Sequence, residues 1–301
     1  MQLRDYLFTK IENDNDFNPV YVNNDYSSPF LDKVKETSPN RVLNVGIAEQ
    51  AMVSVAAGIR KSGFDSLCYS ISTFLFSRAN EQIKINFLSQ KIPFFFVSMG
   101  PGFDYPEDGP SHHCIEENTI TFTYPNTFIF NPLTKNCIDK HFPKYEQINN
   151  NNIVFSLLRK PLKKEANIVL NENFESFNSG YIYSSKSPKS IIICHGHTAS
   201  ICLDNFSKIS EKNVSIVILT NLKAKLPIKV LDNLNKIIIW SESLIDSGLH
   251  SFYKNQLNDE FDFDNVINIG VKPDNLIPYY GNRSMQESYY KYGIDSLMEE
   301  L

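Results

Sequence analysis

The segment Arg41-Val-Leu-Asn-Val-Gly-Ile-Ala-Glu49-Gln50 is the stretch of this chain that best predicts its fold. A short apolar run ends at a glycine, a carboxylate follows, and an alanine-rich amphipathic stretch covers residues 51–60. This order is typical of a strand that leads into a helix. In an open parallel sheet, ligands bind in the crevice at the carboxyl ends of the strands. The segment therefore predicts an α/β fold with a ligand site near Glu49.

A second motif, Glu107-Asp-Gly-Pro-Ser-His-His113, follows later in the chain. Together the two motifs closely resemble those of the pyrimidine-binding domain in the transketolase family of thiamine diphosphate enzymes. In that family, Gly-Ile-Ala-Glu-Gln carries the glutamate that activates the cofactor, and Asp-Gly-Pro-Thr-His carries a substrate histidine. Both motifs occur here in the family's order and at its separation. The resemblance therefore implies an enzyme that uses thiamine diphosphate.

A third family motif does not occur in the sequence. Transketolases bind the diphosphate of the cofactor through Mg²⁺ on a Gly-Asp-Gly…Asn segment in a separate N-terminal domain, and the 301 residues contain no Gly-Asp-Gly. We therefore expect no metal ligand in this chain and interpret it as the C-terminal-type subunit of a split transketolase. A partner subunit would supply the Gly-Asp-Gly motif and the Mg²⁺ ligands. An α₂β₂ heterotetramer is the expected closed assembly.

The composition is that of an ordinary soluble globular protein. Hydrophobic residues make up 42% of the chain and the formal net charge is −5, so neither a nucleic-acid-binding face nor a polybasic membrane patch is indicated. The N-terminus lacks the pattern of a signal peptide, and no apolar run approaches the roughly 20 residues that span a bilayer. We expect a cytoplasmic protein. The five cysteines form no Cys-x-x-Cys pair, which argues against a disulfide framework or a zinc site.

Short apolar runs alternate with helical stretches in the first half of the chain, which predicts a parallel α/β sheet. We predict a pyrimidine-binding domain over residues 1–165. Its predicted strands lie at residues 20–22, 42–45, 66–69, 94–97, 127–130 and 153–156. Its main predicted helices lie at residues 48–61, 73–88 and 133–144.

The stretch 161–188 shows no helical period, so we predict a linker at residues 166–188 with room for one hairpin. The alternation then resumes, and residues 189–301 are predicted to form a second, smaller doubly wound domain that resembles the transketolase C-terminal domain. Its predicted strands lie at residues 190–194, 214–219, 236–240 and 266–269. Its predicted helices end near residue 212, lie at 228–234 and 248–257, and close the chain at 288–301.

The resemblance assigns Glu49 the role of cofactor activator. A carboxylate bonded to N1′ of the aminopyrimidine favours the imino tautomer in which the cofactor supplies its own base, and the protein contributes electrostatic tuning. Ile47 of the same motif is expected beside the cofactor. The alternative role for Glu49 is a residue at a helix N-terminus that the helix dipole stabilises.

The aminopyrimidine ring also needs an aromatic partner, which the family takes from a Ser-Thr-Phe segment. The matching segment here is Ser72-Thr-Phe-Leu-Phe-Ser-Arg78, in which Phe74 is the better aligned ring and Phe76 the reserve. Packing in the core is the alternative for both rings. Asp25 matches the aspartate of the family's Asp-Leu segment beside the cofactor, although the leucine is Tyr26 here; a loop aspartate is the alternative.

The resemblance places His112 as the catalytic histidine, with His113 beside it in the substrate site. Imidazole suits the movement of protons on and off sugar hydroxyls near neutral pH. Asp108 resembles the aspartate that contacts a substrate hydroxyl, but an Asp-Gly turn would need the same residue for its geometry. Arg159 and Arg4 match arginines that bind a substrate phosphate, which guanidinium groups grip in bidentate fashion. Surface arginines are the alternative.

Some residues depart from the family pattern. Transketolases proper carry a histidine about eight residues before Asp-Gly-Pro, where this chain has Gly100. Asp104 or Tyr105 is expected either to contact substrate or to form a turn, and Cys114 is either a nucleophile or a packing residue. The sequence His195-Gly-His197 opens a predicted helix, and we interpret these histidines as structural or interfacial.

The predicted reaction is the transfer of a two-carbon ketol unit from a ketose, expected to be phosphorylated, to an aldose. Three alternatives stay open from the sequence: chemistry like that of deoxyxylulose-phosphate synthase, the β subunit of a 2-oxo acid dehydrogenase, and a non-catalytic assembly subunit. The donor and acceptor sugars are not predicted.

Overall fold

The computed structural model describes residues 2–226, 234–257, 265–275 and 280–301, and its strands form two six-stranded sheets. The strands of the first sheet are β1 (Val20–Asn23), β2 (Val42–Asn44), β3 (Ser66–Ile71), β4 (Phe95–Met99), β5 (Thr127–Phe130) and β6 (Asn152–Leu157). They are all parallel and lie in the order β2-β1-β3-β4-β6-β5. Every residue of β3, β4 and β6 is buried, as is typical of parallel strands covered on both faces. The predicted parallel α/β sheet is confirmed.

Helices cover the first sheet on both faces. The helix α3 shows why: its buried residues Met52, Val53, Ala56 and Ala57 recur at helical spacing and form one apolar stripe against the strands. The helices that accompany this sheet are α1 (Leu3–Glu12), α2 (Pro29–Thr37), α3 (Glu49–Lys61), α4 (Asn80–Gln82), α5 (Glu117–Phe122), α6 (Lys135–His141) and α7 (Tyr145–Asn150).

The segment predicted as one helix over residues 73–88 is irregular. Two π-helical stretches, Phe74–Arg78 and Ile83–Leu88, flank the short α4. A π-helical turn holds more residues than an α-helical turn, and such turns occur frequently at functional sites. The prediction of a helix at this position was therefore incomplete, because the spacing of apolar residues does not distinguish the two helix types.

The predicted helix 133–144 is also divided. Thr134 caps α6 by accepting a hydrogen bond from the backbone of Cys137. The helix ends at His141 because Phe142 precedes Pro143, and a residue before proline disfavours the α region. A separate helix, α7, then begins at Tyr145.

The second sheet contains β7 (Glu175–Phe177), β8 (Gly180–Tyr183), β9 (Ser190–His195), β10 (Val214–Leu219), β11 (Lys236–Leu244) and β12 (Val266–Val271). Its order is β12-β11-β9-β10-β8-β7, in which the first four strands are parallel and the hairpin β7–β8 adds antiparallel to β10. The accompanying helices are α8 (Lys164–Asn173), α9 (Gly196–Asp204), α10 (Phe206–Ser210), α11 (Gly248–Leu257), α12 (Arg283–Tyr289) and α13 (Ile294–Glu300).

The structure changes the description of the stretch 161–188. The predicted hairpin is present. The prediction that this stretch shows no helical period was wrong, because α8 occupies ten residues there. Only Ala166 and Leu170 of α8 are buried, so its apolar stripe is too narrow to stand out in the sequence. The domain limits themselves stay a prediction. The predicted helix at 228–234 lies almost entirely outside the described residues.

The closing helix predicted at 288–301 is shorter in the structure, because α12 ends at Tyr289 and α13 covers only Ile294–Glu300. Lys291 between them has a left-handed backbone (φ 54°), and the carbonyl of Tyr292 accepts a 2.7 Å hydrogen bond from the indole of Trp240 in β11. Within the described ranges, none of the helices combines the length and apolar character that a bilayer crossing requires.

The two sheets are joined by direct contacts between their elements. The backbone of Asn131, just after β5, donates a 2.8 Å hydrogen bond to the carbonyl of Thr220, just after β10. The hydroxyls of Thr119 in α5 and Ser247 lie 2.8 Å apart. The second sheet and its helices therefore lie against the loops that follow the strands of the first sheet, which is where ligands bind in this class of fold.

Candidate cofactor and substrate site

The carboxyl ends of the first sheet bring together side chains from five separate segments. Asn24 follows β1, Glu49 begins α3 after β2, and Phe74 with Arg78 follow β3. The loop after β4 contributes Tyr105 and His112, and the segment after β6 contributes Arg159. These residues are distant in sequence, and they converge because parallel strands end at one edge of the sheet.

Glu49 is the buried charge of this site. Glu49 is only 2% exposed to solvent. Its two carboxylate oxygens accept hydrogen bonds from Asn24 Nδ2 at 2.9 Å and from Arg78 Nη1 at 2.8 Å. Burial raises the pKa of the carboxyl, but the hydrogen bonds from Arg78 and Asn24 outweigh burial, so that the pKa lies below its ordinary value. Glu49 is therefore ionised at neutral pH.

A tight turn before α3 aims this carboxylate. Gly46 has a φ of +73°, a conformation that favours glycine, and its carbonyl accepts hydrogen bonds from the backbones of Ala48 and Asp25. The turn thereby ties the end of β2 to the segment that follows β1. The side chains of Asp25 and Ile47, both predicted beside the cofactor, point outward here; Ile47 is 78% exposed.

Phe74 and Phe76 have different environments. Phe74 is half-buried, and its ring lies 5.1 Å from the ring of His112 at an angle of 64°. The guanidinium carbon of Arg78 lies 4.4 Å from the Phe74 ring centre. Phe76 is fully buried in the apolar core with neighbours such as Leu75. The structure therefore brings Phe74 to Glu49, whereas Phe76 has the environment of a packing residue.

Arg78 shows what this part of the site can hold. Its guanidinium is a planar cation that covers the face of Phe74 and pairs with Glu49 at the same time. A flat ring with a protonated nitrogen would meet the same two contacts. The geometry of the site thus suits a planar, cationic heterocycle.

The second part of the site is a row of rings that ends at a cation. The ring of Tyr105 lies 5.7 Å from the ring of His112, and the guanidinium carbon of Arg159 lies 4.0 Å from the centre of the Tyr105 ring. The Tyr105 hydroxyl donates a 3.2 Å hydrogen bond to that of Tyr26. His112 is half-buried, with Nδ1 3.0 Å from the hydroxyl of Ser111. The exposed Arg159 is available to an anion.

Tyr105 also explains the departure at Gly100. A Cβ atom on residue 100 would lie 2.2 Å from Tyr105 Cε2, and Gly100 has a φ of +76°. The tyrosine ring therefore occupies the space that a side chain at position 100 would need. A tyrosine from the following turn therefore fills the space beside Gly100.

The paired histidines of the second motif separate. His113 is buried, packs edge-on against Phe103 at 4.9 Å, and places Nε2 3.4 Å from the carbonyl of Pro106. Burial lowers the pKa of its imidazole. Only His112 faces Phe74 and Tyr105, so the structure brings one histidine to the site.

The contacts of Asp108 and Arg4 do not favour a direct role in substrate binding. Asp108 is exposed in a turn with Gly109, which has a φ of +73°, and its carbonyl accepts from the hydroxyl of Ser111. Arg4 is buried, bonded to Asp5 at 2.9 Å and to the hydroxyl of Tyr69 at 3.2 Å. The Asp-Gly turn and a structural arginine are the roles that these contacts favour.

Three further side chains have environments that favour structural roles. Burial raises the pKa of the Cys114 thiol well above its ordinary value, which argues against a reactive thiolate. His195 is buried where the two sheets meet, with Nδ1 3.2 Å from Asn131 Oδ1, and His197 lies 2.8 Å from a carboxylate oxygen of Glu287. These contacts agree with a structural or interfacial role for both histidines.

Sequence reasoning did not identify Asn24, Arg78 or Glu117. Arg78 ends the quoted Ser72–Arg78 segment, but its relation to Phe74 depends on the π-helical turn. Glu117 is a buried carboxyl at the start of α5, bonded to the hydroxyl of Ser98 at 3.2 Å, and burial raises its pKa to about 7. Its place shortly after the second motif was the available signal.

Comparisons with known proteins identify relatives of the first half of the chain and of the whole. The family model described as transketolase, pyrimidine binding domain, matches residues 10–162. One of the subunits of an apulose-4-phosphate transketolase from Actinobacillus succinogenes is 26% identical over 220 residues, which cover 70% of this chain and 66% of that protein. A 1-deoxy-D-xylulose-5-phosphate synthase from Chlamydia trachomatis is 28% identical over 267 residues, which cover 83% of this chain and 39% of that protein.

An uncharacterized 33.6 kDa protein in the fasciation locus of Rhodococcoides fascians is 38% identical over 94 residues, or 31% of this chain and 30% of that protein. The matches to these three relatives thus each span less than two thirds of the relative's length.

Solved structures share the fold of the chain. A split gene transketolase, described as an inactive beta4 tetramer, superposes with a TM-score of 0.72 at 19% identity, covering 99% of this chain and 94% of that chain. A transketolase from Campylobacter jejuni superposes with a TM-score of 0.65 at 17% identity, covering 98% of this chain and 44% of that chain. The two-sheet architecture is therefore that of transketolases, and because the family model matches more than half of the sequence, the chain belongs to the transketolase pyrimidine-binding domain family.

Proposed function

We propose that this chain is one subunit of a thiamine diphosphate-dependent transketolase that transfers a two-carbon ketol unit from a ketose to an aldose. The observation that carries the proposal is the arrangement of Glu49, Phe74 and Arg78. An ionised, buried carboxylate and an aromatic face are already bridged by a planar cation, and a protonated aminopyrimidine has the same shape and charge. The residues of the site therefore fit the pyrimidine half of the cofactor.

Each residue has a defined task in this proposal. When bound, thiamine diphosphate supplies the nucleophilic carbon of the reaction. Glu49 holds a proton on N1′ of the aminopyrimidine, because its negative charge is kept from solvent and acts at short range. Phe74 orients the ring by stacking, and the buried Asn24 keeps the carboxylate in position through its 2.9 Å hydrogen bond.

The row of His112, Tyr105 and Arg159 is proposed to hold the sugar. His112 moves protons on and off the sugar hydroxyls, for which a half-buried imidazole is suited. Arg159 binds a phosphate at the far end of a phosphorylated ketose. The 4.0 Å contact with the Tyr105 ring restricts the guanidinium, and the N–H groups that do not bond the Asp104 carbonyl can bind the anion.

A partner subunit is proposed to bind the diphosphate and Mg²⁺. Two relatives support this: one is named as a subunit of a transketolase, and the chain covers 94% of a split gene transketolase chain. Exposed apolar side chains on β2, α3 and the segments next to them also support a protein contact on this part of the chain. These side chains are Leu43, Ile47, Val55 and Ile85.

A second candidate function is chemistry like that of 1-deoxy-D-xylulose-5-phosphate synthase. The alignment with the enzyme from Chlamydia trachomatis favours it, as does Gly100 in place of the transketolase histidine. In this case the donor would be pyruvate rather than a ketose.

One experiment separates the two candidates. The chain is co-purified with a partner that carries the Gly-Asp-Gly motif, loaded with thiamine diphosphate and Mg²⁺, and supplied with ketose phosphates, free ketoses or pyruvate together with an aldose acceptor. We expect two-carbon transfer from a ketose and no carbon dioxide from pyruvate. Decarboxylation of pyruvate would support the second candidate, and a complex that turns over none of the donors would contradict both.

Arg159→Ala should raise the KM for a phosphorylated ketose about 10- to 100-fold and leave the KM for the free ketose almost unchanged. Only the phosphorylated substrate loses a charge-assisted hydrogen bond, nominally about 1.5–3 kcal/mol. The measurement compares steady-state kinetics on the two substrates. Lys160→Ala, which removes the neighbouring exposed cation, is the matched control. Equal effects of Arg159→Ala on both substrates would show that Arg159 does not bind phosphate.

Arg78→Ala should tighten the binding of thiamine diphosphate by about 2- to 5-fold. The cofactor ring must displace Arg78 from Glu49 and Phe74, and an ion pair with one partly exposed member is worth about 1 kcal/mol or less. Calorimetric titration of the reconstituted complex measures this, with Lys84→Ala as a control for the loss of an exposed cation on the same segment. Weaker binding by the Arg78 variant would mean that Arg78 assists the cofactor instead.

A further inference from the structure

The loop between β4 and α5 is held by a residue from the far end of the chain. Arg283 begins α12, and Asn282 caps this helix by accepting from the backbone of Met285 at 3.0 Å. The Arg283 guanidinium pairs with two carboxylates: with Asp104 of the loop at 2.8 Å, and with Glu242 of β11. One cation from the C-terminal segment therefore connects the second sheet to the loop between β4 and α5.

Asp104 bonds to both Arg283 and Arg159. One of its carboxylate oxygens receives Arg283, and the other accepts a 2.6 Å hydrogen bond from the backbone N–H of Arg159. Asp104 is only 9% exposed, and a buried carboxylate needs both hydrogen bonds and a counter-charge to be stable. Without Arg283, Asp104 would lose its counter-charge, and its hydrogen bond to the backbone of Arg159 would weaken.

Tyr105 is the next residue after Asp104, and its ring supports the Arg159 guanidinium at 4.0 Å. The same backbone turn thus sets two features of Arg159: its main-chain position and the aromatic face on which its side chain rests. In addition, Arg159 Nη1 donates a 3.4 Å hydrogen bond to the carbonyl of Asp104.

Other contacts hold the same loop against the second sheet. The backbone N–H of Phe103 donates to Glu242 at 3.4 Å, and a Cβ atom on Gly102 would lie 2.5 Å from the Glu242 carboxyl carbon, so only glycine leaves room for that carboxylate. The ring of Phe103 stacks on that of Tyr290 at 4.8 Å. If Arg283 is changed, the loop still keeps the stacking of Phe103 on Tyr290 and the backbone hydrogen bonds between Gly102 and Cys114, which makes a selective test possible.

We propose that Arg283 is a positioning residue for substrate phosphate, acting through Asp104 on Arg159 and Tyr105. This inference rests on the proposed role of Arg159 and extends it, because it assigns the second half of the chain a part in substrate selection. Arg283 itself touches neither substrate nor cofactor.

The test measures binding of inorganic phosphate to the complex of this chain with its partner, saturated with thiamine diphosphate and Mg²⁺, from the broadening of the ³¹P signal of the anion. We expect Arg283→Gln and Asp104→Asn each to weaken phosphate binding about 3- to 10-fold, and Arg283→Lys to restore part of the loss. In steady-state kinetics, the KM for a phosphorylated ketose should rise while kcat on the free ketose stays unchanged. Arg41→Gln, which breaks the arginine pair with Glu12 in another part of the first domain, should have no effect on either.

The double variant Arg159→Ala/Arg283→Gln distinguishes positioning from general destabilisation. If Arg283 acts through Arg159, the double variant should bind phosphate no more weakly than Arg159→Ala alone. If Arg159→Ala weakens phosphate binding and neither Arg283→Gln nor Asp104→Asn does, the positioning role is wrong and the proposed function stands. If Arg159→Ala has no effect, the phosphate site of the proposed function is wrong, and the role of Arg283 is wrong with it. Should Arg283→Gln fail to fold, Asp104→Asn and Arg283→Lys decide the outcome.

Discussion

Replacing Glu49 by glutamine should reduce turnover of the reconstituted complex about 100- to 1,000-fold while leaving its assembly intact. The amide keeps the shape of the side chain and can still accept the hydrogen bond from Asn24. It cannot supply the negative charge that holds a proton on N1′ of the cofactor. Loss of one preorganised electrostatic group from a buried active site typically costs a factor of this size.

Exchange of the C2 proton of the cofactor, followed by quenched-flow NMR in the wild-type and Glu49→Gln complexes, measures the effect before any sugar binds. Glu12→Gln is the matched control, because it also removes a carboxylate that pairs with an arginine, here Arg41, away from the site. Exchange that is as fast in the Glu49 variant as in the wild type would mean that Glu49 is only a helix-start residue.

The parallel sheet could be predicted because its strands are continuous apolar runs. A strand such as Ser66–Ile71 is buried along its whole length, so its apolar character is visible without knowledge of its neighbours. The helix α3 was predictable for a similar reason, since one apolar stripe and a preceding glycine mark its start.

Two segments could not be predicted because their structure depends on contacts rather than on local pattern. The helix α8 buries only Ala166 and Leu170, and a helix with so small an apolar stripe is stabilised by the partners it meets in the fold. The π-helical turns around Phe74 keep the apolar spacing of a helix but change the direction of each side chain.

Some residues of the site could likewise be predicted from the sequence, and others could not. Glu49, Phe74 and His112 lie in motifs that the sequence displays, and the structure brings them to one edge of the sheet. Identical neighbours such as His112 and His113 diverge, because the preceding turn directs His112 toward Phe74 and His113 toward the buried Phe103. Arg283 could not be predicted at all, since its partner Asp104 is 179 positions away and neither residue belongs to a local pattern.

The isolated chain should show no transferase activity and should bind thiamine diphosphate no more tightly than thiamine. In the proposed complex, the residues around Glu49 would contact only the pyrimidine half of the cofactor. Among the described residues, no group of three or more histidine, cysteine or acidic side chains is arranged to hold a metal ion. Two charge-assisted hydrogen bonds to the diphosphate would add about 3–6 kcal/mol, so the complex with the partner should prefer thiamine diphosphate over thiamine by at least about 100-fold.

Calorimetry of the chain alone and of the complex, each titrated with thiamine and with thiamine diphosphate in the presence and absence of Mg²⁺, measures this difference. Glu49→Ala in the isolated chain is the control for specific binding, because it should abolish what affinity the pyrimidine site has for either compound. Tight, Mg²⁺-dependent binding of thiamine diphosphate by a homo-oligomer of this chain would contradict the two-subunit proposal. It would place the diphosphate ligands within this chain, so that a second copy of the chain would complete the site around Glu49.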